Sequence, residues 1–142
     1  SDDDGYTWSE VTLIRPVNDP EFTGMSCVRM CETDAGTWLL GSHDGIWNAS
    51  PKGPVRTRQY VLRSEDRGLT WQLLPDKRPG GWYHEKHGCR GEGTLLNLGG
   101  GKVLLATRSA KGCILESRSE DDGRTWSDLQ STTMVHPHRL DP

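Results

Sequence analysis

The chain has 142 residues, with 17 lysines and arginines against 20 aspartates and glutamates for a net charge of −3, and 32% of it is hydrophobic. No apolar run approaches the roughly 18 residues of a spanning helix, and no basic start leads into a greasy stretch, so neither a membrane segment nor a signal peptide is expected in these residues. Mild acidity without a stripe of lysine and arginine argues against nucleic acid as the main partner, because neutralising phosphates needs clustered positive charge.

The chain starts at Ser1 rather than Met, which points to a processed product or an excised piece. Beyond it, 17 glycines and 8 prolines punctuate short apolar runs of strand length at 28–31, 37–40, 60–62, 94–98, 103–106 and 114–115. No window of about 11 residues keeps a 3.6-residue period, so the chain reads as all-β with almost no helix. Many short strands between turns mean a sandwich, a barrel or a propeller, and internal repeats distinguish these.

A repeat is present. The pattern S-x-D-x-G-x-T-W starts at Ser1, at Ser64 and at Ser119. Its spacing of roughly 55–65 residues is the length of one four-stranded propeller blade with its loops. Each copy reads as a hairpin turn in which Asp3, Asp66 or Asp121 accepts backbone N–H bonds, Gly5, Gly68 or Gly123 supplies a left-handed φ, and Trp8, Trp71 or Trp126 opens the next strand. These aspartates are structural, because the motif recurs whatever surrounds it.

This motif is the Asp box, or BNR repeat, and across essentially its whole length the chain resembles the sialidase (neuraminidase) superfamily. The resemblance implies a six-bladed β-propeller of on the order of 350 residues. The chain would then supply about two to two and a half four-stranded antiparallel blades from the middle of such a ring. Residues 1–13 would end one blade, 24–77 and 88–130 would form two more, and 131–142 would start the next.

Blade topology puts the boxes at the turns between strands 3 and 4, which leaves the opposite end free for a site. With strands at 93–98, 102–108, 113–119 and 125–129, the start of the first and the end of the second meet at that free end, where Glu92 and Arg108 stand. Aligning Leu39-Leu40 on Leu104-Leu105 puts Cys27 at the position of Glu92 and His43 at that of Arg108, so the architecture itself does not demand the acidic and basic pair. A solvated ion pair at a strand end is the plain alternative. By resemblance to sialidases, Glu92 is the base toward a tyrosine nucleophile, and Arg108 is one of three arginines that bind the substrate carboxylate. A neutral tyrosine avoids the repulsion that a carboxylate nucleophile would meet from a sialic acid, and a guanidinium matches a carboxylate in bidentate geometry. The family's other two arginines, its aspartate acid/base and its nucleophilic tyrosine have no matching motif. Tyr6 lies in a box, Tyr60 in a strand and Tyr83 in a crossover.

That crossover, residues 78–87, precedes Glu92 and belongs at the free end. Its Trp82 and Tyr83 are candidates for a sugar-stacking platform, with packing between blades as the alternative, and Trp47 in the preceding blade is a candidate for the rim. His84 and His87 lack a third ligand and make a weak metal pair, so no metal and no cofactor is expected. His136 and His138 read as loop, and the sequon at Asn48 is weakened by Pro51. The four cysteines, Cys27, Cys31, Cys89 and Cys113, read as free thiols, with Cys89 and Cys113 the pair to check in an oxidising compartment. The resemblance therefore implies a segment of an exo-glycosidase that removes terminal sialic acids from glycoconjugates, inactive alone and secreted, with the remaining blades or other copies covering its faces. A non-catalytic Asp-box propeller binding glycans or proteins, and another exo-glycosidase on the same fold, are the alternatives.

Overall fold

The computed structural model describes residues 1–24, 29–45 and 57–136. Among them there is no helix. The strands are β1 (Met30–Glu32), β2 (Trp38–Gly45), β3 (Thr57–Ser64), β4 (Gln72–Leu74), β5 (Gly91–Gly99), β6 (Lys102–Arg108), β7 (Cys113–Ser119) and β8 (Gln130–Val135). They pair in chain order into two antiparallel sheets, β1-β2-β3-β4 and β5-β6-β7-β8, as blades of a β-propeller do. The two registers correspond, since Trp38 opposes Ser64 in the first sheet and Val103 opposes Ser119 in the second.

Alternation along the strands gives the first sheet two apolar faces. Leu39, Val61 and Leu74 meet Leu95, Val103, Leu105 and Leu115 of the second sheet in one core, while Leu40, Tyr60, Leu62 and Leu73 turn the other way and pack with Phe22 and Trp71. The sheets approach so closely that a Cβ at Gly41 would sit 2.1 Å from the Gly93 carbonyl oxygen, a contact only glycine allows.

At one end the sheets are joined by polar contacts. Glu65 accepts from Arg63 and from Arg124, both at 2.7 Å, and Asp34 accepts from Asn97 Nδ2 and from the Gly100 N–H, both at 2.9 Å. All three boxes form the expected turn, those at Ser64 and Ser119 at this end. In the box at Ser64, Asp66 takes the Thr70 N–H at 2.9 Å and the Thr70 hydroxyl at 2.6 Å, Ser64 takes the Gly68 N–H at 2.8 Å, and the Trp71 indole donates to the Gly68 carbonyl. Left-handed φ extends to the residue before each glycine, at Asp4, Arg67 and Asp122.

The last strand departs from expectation. Residues 125–129 make no regular strand, and the outer strand of the second sheet is β8, Gln130–Val135, so 131–135 complete this sheet rather than begin another. The cause lies in Ser127, whose hydroxyl takes the Arg118 N–H at 3.0 Å that a ladder would have given to a carbonyl. Pairing with β7 starts only at Gln130, opposite Glu116, and shifts register once more before Val135 opposes Cys113. β5 starts earlier than 93 because Gly91 pairs with Arg108 across a register shift before Thr94.

Candidate functional site at the end opposite the boxes

The box at Ser119 closes on the Val103 end of β6, so Arg108 and its neighbour Glu92 stand at the opposite end of the second sheet. Arg108 Nη2 lies 3.0 Å from Glu92 Oε2, and the side chains are 24% and 43% exposed. This is a half-open ion pair at a sheet end, with Arg108 Nε buried and without a hydrogen-bond partner among the described residues.

Glu92 does not occupy an ordinary strand position. Its φ of 64° is left-handed, and it is the one described residue outside the boxes, glycine apart, with a positive φ. It sits in the register shift between Gly91 and Thr94, and a bulge of this kind re-aims a side chain away from the alternation of the strand. The amides there are taken by side chains. Gly91 N–H donates to Cys89 Sγ at 3.3 Å, Glu92 N–H to His43 Nδ1 at 3.2 Å, and Gly93 N–H to Gln59 Oε1 at 3.0 Å. Thr107 then donates to the Gly91 carbonyl at 2.8 Å, and Gln59 donates to the Ser42 carbonyl at 2.7 Å. His43 and Gln59, which face one another in the β2–β3 ladder, thus hold the mouth of the neighbouring sheet.

Around this centre lie further charges. Arg78 clamps Asp19 through Nε at 2.8 Å and Nη2 at 2.9 Å, raising the Arg78 pKa and lowering that of Asp19, and its Nη1 lies 3.9 Å from Asp44. Burial pushes the His43 pKa down; Glu92 and Asp44 oppose that shift, while Arg108 adds to it.

Of the aromatic candidates, Trp82 is 8% exposed, bridges to Gln59 by its backbone and packs edge-on against Trp126 at 6.0 Å. Its ring is committed to packing between the sheets, so it offers no open face to a pyranose. Tyr83 is partly buried beneath Arg58, whose Cζ is 5.9 Å from the ring centre. Both border a groove of about 710 Å³ that also takes in Arg58, His84, Glu85 and Asp128. Trp47, Cys27, Asn48 and His138 lie outside the described residues.

His84 and His87 meet edge to face at 4.9 Å, and among the described residues no three metal-ligating side chains come together. Cys31, Cys89 and Cys113 are free thiols. No described helix is long and apolar enough to cross a membrane. Sequence reasoning passed over His43, Gln59 and Thr107 as parts of the site. Of these, only His43 carried a signal, as the counterpart of Arg108 in the preceding blade.

Among curated proteins no sequence matches this chain. The family model of the BNR repeat-like domain matches residues 1–139, over the same span that carries the three box turns and the paired four-stranded sheets, and the chain belongs to that sialidase/Asp-box repeat family.

Proposed function

We propose that the chain supplies the glutamate and one arginine of a sialidase-type exo-glycosidase site that removes terminal sialic acids from glycoconjugates. The observation that carries this reading is the placement of Glu92, held in a left-handed bulge and 3.0 Å from Arg108, at the sheet end opposite the boxes. A surface ion pair needs no strained backbone, and left-handed non-glycine residues gather at functional sites, which favours a functional reading of Glu92. In this reading Glu92 draws the proton from a tyrosine nucleophile and Arg108 binds the carboxylate of the sugar. Tyr83 and Trp47 remain candidates for the rim of the sugar site.

The described tyrosines do not supply the nucleophile. Tyr60 is buried against Phe22 at 5.3 Å, Tyr83 lies under Arg58, and Tyr6 is exposed in its box turn. The nucleophile, the acid/base and two further arginines therefore come from other blades, and the 142 residues alone have no measurable sialidase activity.

Steady-state kinetics on a fluorogenic sialoside, with the protein at its full natural length, test the assignment. Arg108→Ala weakens substrate binding by about 2–5 kcal/mol, chiefly in KM. Glu92→Gln lowers kcat by about a hundredfold or more. Exchanged effects would refute the roles, and no effect from either would return the pair to a surface salt bridge.

A further inference from the structure

His43 occupies in the first sheet the strand position that Arg108 occupies in the second, five residues beyond the residue opposite the box serine. Its environment is nevertheless different, since it is only 2% exposed and turned into the seam between the sheets. A Cβ built on Gly91 would fall 2.4 Å from His43 Cγ, so the imidazole fills the space beside the bulge and leaves room only for glycine. The φ of Gly91, 74°, precedes the 64° of Glu92, and two successive left-handed residues turn the Glu92 N–H out of the ladder and onto His43 Nδ1.

An amide turned out of its ladder and half-hidden from water needs an acceptor, and a left-handed backbone at a non-glycine residue persists only where its surroundings hold it. The bulge therefore depends on acceptors from outside its own sheet, and the Glu92 amide finds its acceptor in the His43 ring, which must be unprotonated at Nδ1.

We infer that His43 is a positioning residue for Glu92: as the neutral Nε2–H tautomer it accepts the Glu92 amide and holds the left-handed bulge that presents the carboxylate to Arg108. Its part in catalysis rests on the glycosidase reading, but the contact itself does not. A protonated ring carries N–H at both nitrogens and gives up the acceptor, so the bulge is coupled to proton uptake at His43. The charged groups facing it are Glu92 and Arg108 from the second sheet and Asp44 on its own strand. Burial of the ring outweighs the two carboxylates and keeps it neutral below its ordinary range.

Nitrogen-detected NMR of the wild-type chain reads the ring directly, without any variant. The expected result is a neutral His43 with its proton on Nε2 and a Glu92 amide protected from exchange. A proton on Nδ1, or a charged ring at neutral pH, would overturn the inference. Two substitutions extend the test, because Asn can place an oxygen near Nδ1 while Leu cannot accept. His43→Leu should speed exchange of the Glu92 amide at least about tenfold and, in the protein at its full natural length, lower kcat on a sialoside by a similar factor with KM little changed. His43→Asn should restore both to within about threefold and remove the His43 contribution to the acid limb of the kcat profile. Equal damage from the two substitutions would overturn the positioning role. A wild-type protein that leaves sialosides intact, yet shows the amide bonded as described, would overturn the glycosidase reading and leave the His43 contact standing.

Discussion

Asp66 and Asp121 show how a residue that looks catalytic can be wholly structural. The Thr70 hydroxyl, the Thr70 N–H and Ser64 pull the Asp66 pKa to about 2. At Asp121 burial acts to raise the pKa, but bonds from Thr125 and Ser119 outweigh it and bring the value to about 2. Because both lie below the ordinary 3.8, the folded chain holds fewer protons than the unfolded one. Their stabilisation is complete above pH 3.8 and is lost as the pH falls through about 2. Urea midpoints measured between neutral and acid pH should fall over that window, and Asp66→Asn with Asp121→Asn should flatten the fall. An unchanged slope in the double variant would show that other carboxylates govern acid unfolding. Glu92 is the opposite case, a residue whose type alone resembles a surface charge and whose backbone gives it a different meaning.

At the scale of the element, legibility followed whether a strand's own sequence fixed its pairing. β6 and β7 fall on the expected 102–108 and 113–119, because glycines bound them and apolar alternation sets their register. β8 was missed because one hydroxyl, that of Ser127, replaced a ladder bond, and no periodicity records such a substitution. The meeting of Glu92 and Arg108 was legible, since an antiparallel hairpin dictates which strand ends adjoin. The meeting of Glu92 with His43 was not, because it crosses between sheets and depends on their packing rather than on any local pattern. That packing is chiefly apolar. Leu39 is fully buried and would lie 2.8 Å from a Cβ on Gly123, in the box turn of the other sheet, whereas Glu65 makes its cross-sheet bond to Arg124 in solvent. Leu39→Ala should therefore cost about 2–5 kcal/mol by urea denaturation and Arg124→Ala, which removes the exposed cross-sheet pair and leaves Glu65 with Arg63, no more than about 1. The reverse order would mean that the ion pairs, not the core, join the sheets.

For the molecule as a whole, two sheets joined along one seam leave strand residues such as Leu96, Leu98, Met134 and Val135 exposed on the second sheet. In the proposed ring, further blades or other copies cover them, and the same neighbours bring the missing catalytic groups to the end where Glu92 and Arg108 stand. The central claim is that this end recognises the carboxylate of a sialic acid. NMR titration of the protein at its full natural length with N-acetylneuraminic acid, and separately with its methyl ester, tests it most directly. The acid should shift the Arg108 side-chain and Glu92 amide signals saturably while the ester, having lost the charge, leaves them in place. Equal responses to both sugars, or shifts confined to residues away from Glu92 and Arg108, would contradict it.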